Sequence, residues 1–393
     1  MPFLIAHVSD LHVSPFGDTL HDRSRLVHRS ARKVRLGIDF ETCWSEADWR
    51  VVRRRGRGRR RPVLLDPEGY VHALSRRRKL GAPIDPVERG VLRARRLEAS
   101  SARALSEEMP SDAALAELLE ASPRNVNLRL VTAARFLAER QVDAVVVTGD
   151  CTDDGDGWEL VHAAFASWHE RGRLFVIPGN HDLFLFPIGS SARPRPTRVI
   201  KRVRWQEFAA KTDLELESCG AWKRVIPEAD AVIVGLDSCV LGQKAFFRQN
   251  GAIGAAQLGW LRGLAEGREW KDVRHRIVLV HHHVVPLQYH LNRRAPTEIG
   301  MRLDDARTFT ATLASIGATL VMHGHRHISE RRHPAGYDFD LLAAPSLTLG
   351  CKSGDAPSYW AVELDHRVHA ERVRIPGFEA FGPAASKRLP LVV

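Results

Sequence analysis

Residues 144–150 are Ala-Val-Val-Val-Thr-Gly-Asp, and residues 174–182 are Leu-Phe-Val-Ile-Pro-Gly-Asn-His-Asp. Each stretch is a short apolar run that leads into a glycine followed by polar side chains. A continuous apolar run of this length is typical of a strand buried on both faces, as in a parallel sheet. The two stretches therefore predict an α/β fold in which polar side chains follow the carboxyl ends of buried strands. That edge is where open α/β sheets bind ligands.

The same pattern recurs along the chain. The apolar run at 3–8 ends in Ser9-Asp10-Leu11-His12, the run at 277–280 ends in His281-His282-His283, and the run at 319–322 leads to Gly324-His325-Arg326-His327. Further strands are predicted at 231–236, 339–344 and 359–364, and helices at 86–108, 112–121, 126–140, 158–171 and 256–266. Asp, Asn or His thus follows five strand ends, which predicts that these side chains meet in one site.

These strand ends supply seven typical metal ligands: Asp10, His12, Asp150, Asn180, His281, His325 and His327. Imidazole and carboxylate donors without cysteine suit zinc, iron, manganese, cobalt or nickel, and not a dedicated calcium or magnesium cage. Seven ligands are too many for one ion that must also hold water and substrate, so they predict two ions that share a bridging carboxylate. Taken alone, Asp150 is also a typical helix N-cap and Asn180 a typical turn residue, and only the full set favours metal.

The order of the motifs adds a resemblance to a known family. Asp10-Leu11-His12, Gly149-Asp150, Gly179-Asn180-His181-Asp182, His281 after a strand, and Gly324-His325-Arg326-His327 together resemble the calcineurin-like metallophosphoesterases. The resemblance implies the α/β, four-layer α-β-β-α sandwich of that family. It assigns residues 1–15 and 126–365 to the catalytic core, with a large basic insertion at 16–125 after the first strand and a C-terminal tail at 366–393.

The resemblance also implies a role for each site residue. Asp10, His12 and His327 hold the first ion, Asn180, His281 and His325 hold the second, and Asp150 bridges them. His181 lies over the phosphate, where it stabilises charge or protonates the leaving oxygen, and Asp182 orients it. His282 is a candidate contact to the substrate phosphate. Outside the ligand set, His7 and His323 are expected to be packing residues, and 153–156 a solvated turn beside the site.

The implied activity is hydrolysis of a phosphodiester or phosphomonoester by a metal-bound hydroxide. The segments Gly251-Ala252-Ile253-Gly254, Gln257–Leu261 and Ala344-Pro345-Ser346 resemble the bacterial cyclic-nucleotide phosphodiesterase-like branch, which implies a phosphorylated small molecule as substrate. Two alternatives stay open: a nuclease or DNA-repair phosphodiesterase that grips the backbone with the basic insertion, and a non-catalytic binding protein on the same fold.

Charge is concentrated in the insertion. The chain has 393 residues and a net charge of +11, and residues 16–124 alone contain 24 Lys and Arg against 16 Asp and Glu. The Arg clusters within 50–80 predict a surface for nucleic acid or an anionic lipid headgroup, or alternatively a solvated excursion that buries little.

Cysteine usage and hydropathy point to a soluble setting. Five widely spaced cysteines without a CxxC pair predict reduced thiols and a cytoplasmic location. No run of 18 apolar residues occurs, so no transmembrane segment is predicted. The oligomeric state is left open by the sequence.

Overall fold

The structure is a computed structural model. It describes residues 2–15, 17, 50–53, 62–65, 99–184, 198–240, 249–286, 302–351 and 356–378.

Strands and helices alternate over much of the described chain. The strands are β1 (Phe3–Val8), β2 (Arg50–Arg53), β3 (Pro62–Leu65), β4 (Ala144–Thr148), β5 (Leu174–Ile177), β6 (Trp222–Ile226), β7 (Ala231–Gly235), β8 (His275–Leu279), β9 (Leu320–His323), β10 (Glu330–Arg332), β11 (Asp340–Ala343), β12 (Ser358–Leu364) and β13 (Val368–Arg374). The α-helices are α1 (Ala102–Glu107), α2 (Asp112–Ala121), α3 (Val126–Glu139), α4 (Trp158–Ala164), α5 (Ala166–His169), α6 (Asn180–Leu183), α7 (Arg198–Lys211), α8 (Gly254–Ala265), α9 (Arg268–Lys271) and α10 (Ala306–Ser315).

Two large sheets organise the fold. The first has the order β13-β12-β1-β4-β5, in which β1, β4 and β5 are parallel and β12 and β13 are antiparallel. The second has the order β10-β11-β9-β8-β7-β6, with a parallel centre and an antiparallel strand at each edge. Strands β2 and β3 form a separate antiparallel ribbon. Because parallel strands end at the same edge, each sheet collects the residues that follow its central strands.

Alternate side chains of the second sheet enter two different cores. In β8, Ile277 and Leu279 pack in the core that is shared with the first sheet, whereas Val278 packs on the other side with α8 and α10. Helices α3 and α4 bury their apolar side chains with those of the first sheet. The layers are therefore helix, sheet, sheet and helix, which confirms the predicted four-layer α-β-β-α sandwich.

Most predicted elements are confirmed to within a few residues, and one helix is divided. The predicted helix at 158–171 forms α4 and α5 because Phe165 leaves the helical conformation, with φ −111° and ψ 18°. Its side chain is fully buried in the shared core. The helix is thus interrupted at the residue whose aromatic ring packs in the core.

Two boundaries differ from the sequence prediction. Residues 368–374, predicted to belong to the tail, form edge strand β13, which pairs with β12 along its whole length. Helices α1 and α2 lie within the predicted insertion, yet they bury Ala102, Leu105 and Leu115 in the shared core. Apart from these helices, Gly17 and the strands β2 and β3, the predicted insertion lies almost entirely outside the described residues.

None of the described helices has both the length and the apolar character that crossing a bilayer needs. Cys151, Cys239 and Cys351 are buried thiols, and Cys219 is partly exposed. Cys43 lies outside the described residues.

Candidate metal centre

The backbone after three strand ends is left-handed. Asp10 and His12, which follow β1, both have φ 52°, and Asp150, which follows β4, has φ 50°. His325 and His327, which follow β9, have φ values of 72° and 50°. This conformation is uncommon for residues other than glycine, and such strain clusters at functional sites. Five of the seven predicted ligands therefore occupy strained backbone.

Two motif glycines are required because neighbouring groups approach the main chain closely. A Cβ on Gly179 would lie 2.2 Å from the Asp150 nitrogen, and a Cβ on Gly324 would lie 1.8 Å from Ser9 Oγ. Both distances are far shorter than a carbon atom can tolerate. Gly179 lets the loops after β4 and β5 of the first sheet meet, and Gly324 lets the loop after β9 of the second sheet approach the loop after β1.

The first group of donors contains Asp10, His12 and His327. His327 Nε2 lies 3.2 Å from Asp10 Oδ1 and 2.9 Å from His12 Nε2. The other ring nitrogen of His12, Nδ1, lies 3.1 Å from the Asp153 carboxylate, so Nε2 faces the group. The main-chain nitrogen of His325 donates to Asp10 Oδ2 at 3.0 Å, which ties this group to the second.

The second group contains Asp150, Asn180, His281 and His325. Asn180 Oδ1 lies 2.9 Å from His281 Nε2 and 2.8 Å from His325 Nδ1, and His281 Nε2 lies 3.4 Å from Asp150 Oδ1. His281 Nδ1 donates to the Thr148 carbonyl oxygen at 2.8 Å, which fixes the tautomer and aims Nε2 at the group. All four of these predicted ligands are buried.

Backbone pairing brings the two groups together. The main-chain nitrogens of Asp10 and His12 donate to the carbonyl oxygens of Gly149 and Asp150 at 3.0 and 2.9 Å. The loop after β1 therefore runs alongside the loop after β4, although the two are separated by about 140 residues in sequence.

His181 lies beside both groups, and Asp153 orients it. His181 Nδ1 lies 3.2 Å from Asp153 Oδ1 and 3.1 Å from the Asp153 carbonyl oxygen, while its side chain stays 21% exposed. Asp153 itself is buried, so the expectation of a solvated turn is wrong at this residue. This role of Asp153 was missed in the sequence analysis. The signal that could have indicated it is the position of Asp153 only three residues after the predicted ligand Asp150, on the same tight loop.

The sequence of the chain matches the model of a known protein family. Residues 110–329, more than half of the chain, match the model of the calcineurin-like phosphoesterases. The chain belongs to this family. Its members bind two divalent metal ions, and the match includes the ligand candidates from Asp150 to His327. Asp10 and His12 lie before the matched segment. None of the curated proteins matches the chain significantly.

Solved structures resemble this calcineurin-like chain at low identity. A dimetal phosphatase from Danio rerio is 17% identical, with a TM-score of 0.43, over 64% of this chain and 90% of that one. Purple acid phosphatase PPD1 from yellow lupin (Lupinus luteus) is 11% identical, with a TM-score of 0.42, over 65% of this chain and 48% of that one. A putative 5′-nucleotidase from Staphylococcus aureus is 12% identical, with a TM-score of 0.38, over 62% and 48%. The chain thus spans about half the length of the last two proteins, and the family assignment rests on the sequence match.

Asp182 was expected from the sequence to orient His181. In the structure, Asp182 does not contact the His181 ring through any of its four hydrogen bonds. Its carboxylate accepts four hydrogen bonds, from the main-chain nitrogens of Cys151, Thr152 and Gly179 and from the Thr152 hydroxyl, at 2.7–3.2 Å. A carboxylate has about four acceptor positions, so these donors saturate it. Asp182 ties the loop after β4 to the loop after β5, and the contact to His181 is made by Asp153.

His282 is also placed differently from its predicted contact with the substrate phosphate. Its ring is fully buried, with Nδ1 2.7 Å from Ser238 Oγ and Nε2 2.9 Å from the Gln249 carbonyl oxygen. Burial and the neighbouring His281 lower the pKa of His282 to about 3. With both nitrogens bonded to protein groups, this neutral ring supports the loop at Gln249. His7 and His323 are buried as expected for packing residues.

Buried acids and imidazoles stabilise each other's charged forms. Burial raises the pKa of Asp150, but the nearby His281 and His181 outweigh it and hold this pKa well below its usual range. Burial lowers the pKa of His281, yet Asp150 and Asp10 raise it to about 9. The pKa of His181 is also lowered by burial and raised, to about 9 in total, by Asp150 and Asp153. Divalent ions would replace these protons as the counter-charges of the carboxylates.

The donor set fits the pair of ions that the family binds. Asp10 Oδ1 is buried, and within the described part of the chain its near neighbour is His327 Nε2 at 3.2 Å, which does not meet it with hydrogen-bond geometry. Leaving such an oxygen without a partner is costly unless a cation fills the space beside it. Asp10, His12 and His327 each present a donor atom within 4.8 Å of the others, and so do Asp150, His281 and His325. The two trios correspond to two neighbouring ion positions.

Proposed function

We propose that this calcineurin-like phosphoesterase hydrolyses phosphoester bonds at a dinuclear metal centre. The observation that carries the proposal is the convergence of seven predicted ligands from both sheets into two adjacent donor groups, with the Asp153–His181 pair beside them. We assign Asp10, His12 and His327 to one ion, Asn180, His281 and His325 to the other, and Asp150 to both. Manganese, iron, zinc, cobalt and nickel all suit these ligands.

A pair of metal ions held by these residues would supply the chemistry of hydrolysis. Two divalent ions held there would neutralise charge on the phosphoryl oxygens and lower the pKa of a water molecule toward neutrality. The chain's own contribution is to fix the ring nitrogens and carboxylate oxygens in place, through the Thr148 carbonyl at His281 and through Asp153 at His12. Main-chain strain at Asp10, His12 and Asp150 shows how closely these positions are determined.

His181 is suited to protonate the leaving oxygen. Its partly exposed ring is reachable by substrate, and Asp153 holds Nδ1, which sets the direction of the opposite nitrogen. The raised pKa of His181 keeps a proton on the ring at neutral pH. Two cations nearby would lower this pKa toward the range in which a general acid works best.

The substrate class that we infer is a phosphorylated small molecule, either a monoester or a diester. Nucleic acid or an anionic lipid remains an alternative through the Arg-rich residues 50–80, because such clusters bind phosphates at low salt. A screen of phosphomonoesters, cyclic nucleotides, glycerophosphodiesters and nucleic acids with manganese- or zinc-loaded protein would decide. The same screen, repeated after deletion of residues 50–80, tests the nucleic-acid or lipid alternative. A cytoplasmic location stays a prediction.

Replacement of the shared ligand tests the proposed activity. The His181 main-chain nitrogen donates a hydrogen bond to Asp150 Oδ1 at 2.8 Å. Asp150→Asn keeps an oxygen that can accept this hydrogen bond but removes the negative charge that the two ions would share. We expect hydrolysis of bis-p-nitrophenyl phosphate to fall by about 1,000-fold or more, since a metal centre contributes several kcal/mol to such a reaction. Metal content by mass spectrometry should fall in parallel.

The matched control is Asp272→Asn, an exposed acid that pairs with Arg268 on the surface. It should keep full activity and both metal ions. Wild-type turnover by Asp150→Asn, with its melting temperature unchanged, would contradict the ligand assignment. Tight binding of two metal ions by wild-type protein without turnover of any screened ester would favour a non-catalytic binding protein.

A further inference from the structure

Lys201, on α7, has a fully buried side chain, which is rare for lysine. Its Nζ lies 2.9 Å from the His181 carbonyl oxygen, 2.7 Å from the Phe184 carbonyl oxygen and 2.8 Å from Asp154 Oδ1. The two carbonyl oxygens accept hydrogen bonds from the ammonium group, and the Asp154 carboxylate forms an ion pair with it. A buried charge is tolerated only with such partners, so this arrangement specifies where each of them sits.

One side chain thereby joins three segments of the site. His181 and Phe184 mark the short helix α6 and its end, Asp154 belongs to the loop after β4, and Lys201 extends to both from α7. The loop after β4 is shaped around the lysine stem. A Cβ on Gly155, which has φ 78°, would lie 2.6 Å from Lys201 Cγ. Only glycine lets the loop pass this closely.

The contacts of His181 show what the lysine contributes. The His181 main-chain nitrogen donates to Asp150 Oδ1 at 2.8 Å, and its ring nitrogen Nδ1 meets Asp153. Lys201 binds the remaining main-chain group, the carbonyl oxygen. The backbone of His181 is thus held between a proposed bridging ligand and a buried cation, while Asp153 orients the ring.

We propose that Lys201 is a positioning residue for His181. By binding the His181 carbonyl oxygen and Asp154 together, it keeps the main chain of α6 in register with the loop that carries Asp153. The ring of His181 is then held in the direction that its contact with Asp153 sets, from which we propose it reaches the leaving oxygen. The kinetic part of this proposal rests on the proposed hydrolase function and on the acid role of His181. The structural part does not.

Aryl phosphodiesters with leaving groups of increasing pKa test the kinetic part in the metal-loaded full chain. We expect Lys201→Met to lose about 10- to 100-fold in kcat on phenyl esters and much less on p-nitrophenyl esters, because only the poor leaving group needs the acid. The same variant in a His181→Ala background should lose little more. A loss that is equal for all leaving groups, or fully additive with His181→Ala, would overturn the proposal.

A reactivity measurement tests the structural part without turnover. Carbethoxylation of His181 by diethyl pyrocarbonate, followed by peptide mapping, should be several-fold faster in Lys201→Met because the ring is less restrained. Lys211→Met is the matched control, since Lys211 is exposed on the same helix and should leave both readouts unchanged. An unchanged rate at His181 would refute positioning even if the protein proved to be no hydrolase.

A second variant covers the case in which Lys201→Met does not fold. Asp154→Asn keeps the lysine and removes only the charge of one of its partners. It should shift the leaving-group dependence and the His181 reactivity in the same direction by a smaller factor, while two metal ions remain bound. A shift in neither quantity would count against the proposal.

Discussion

At the scale of single residues, His181 and Asp153 are the pair on which turnover is expected to depend. Asp153 contacts ring nitrogens of both His12 and His181, at 3.1 and 3.2 Å. Two side chains with different proposed roles, a metal ligand and a proton donor, are thus aligned by one carboxylate. Burial alone raises the pKa of Asp153, but the two imidazoles bring it far below its usual range. Asp153 therefore stays ionised.

His181→Ala should separate metal binding from turnover. His181 is not among the proposed ligands, so both ions should remain bound. Loss of the acid should lower kcat by about 100-fold or more on esters with poor leaving groups, and by less on p-nitrophenyl esters. Steady-state kinetics with metal analysis measures both, and His366→Ala, which changes an exposed histidine, is the control. Loss of metal from His181→Ala would place this residue among the ligands instead.

At the scale of elements, the loop after β1 depends on the turn between β11 and β12. Ser346 Oγ donates to the Asp10 carbonyl oxygen at 2.6 Å, and Thr348 Oγ1 donates to the Leu11 carbonyl oxygen at 2.8 Å. Both hydroxyl groups are buried. The strained backbone of Asp10 and His12 persists because distant segments satisfy its polar groups.

Ser346→Ala should therefore weaken binding of the ion held by Asp10, His12 and His327 more than binding of the other ion. Loss of such a supporting contact typically costs about 10- to 100-fold in metal affinity. Competition with a fluorescent chelator would resolve the affinities of the two sites. The affinity of the site formed by Asp10, His12 and His327 should fall more. Ser315→Ala removes a hydroxyl group that bonds to the Thr312 carbonyl oxygen in α10, and serves as the control. Equal weakening of both ions would argue against a specific link between this turn and the first site.

At the scale of the whole molecule, the proposed ions link the two sheets. Asp10, Asp150 and Asn180 follow strands of the first sheet, whereas His281 and His325 follow strands of the second. An ion with ligands from both sheets is bound by the folded state and not by the unfolded chain. Its binding free energy is therefore added to the free energy of unfolding.

Removal of metal should lower the melting temperature. Saturation at about 100 times the dissociation constant contributes about 2.7 kcal/mol, which corresponds to a shift of roughly 3 to 5 °C in a chain of this size. Thermal unfolding before and after chelation, with manganese or zinc added back, measures the shift. The Asp150→Asn variant should respond less. An identical melting temperature in the loaded and chelated protein would contradict ligands that span both sheets.

The amino-acid sequence alone predicted the fold class and the proposed ligand set, because both depend on local signals. An apolar run predicts a buried strand, and the residue after it is placed at the sheet edge whatever else the chain does. The division between the core and its flanking segments was predicted less well. Strand β13 alternates only weakly between buried and exposed positions. The helix at 112–121 was predicted, but α1 and α2 lie next to a strongly basic segment, so they were assigned to the insertion and not to the core.

Only the tertiary structure decided which polar group bonds to which. The choice of Asp153 over Asp182 for His181, the enclosed position of His282 and the buried Lys201 all depend on groups brought together across 20 to 44 residues of sequence. Hydrogen bonds are directional and short-ranged, so a change of a few ångströms in loop position exchanges one partner for another. Strand order fixes the neighbourhood of these groups, and the packing of the two sheets against each other fixes the contacts within it.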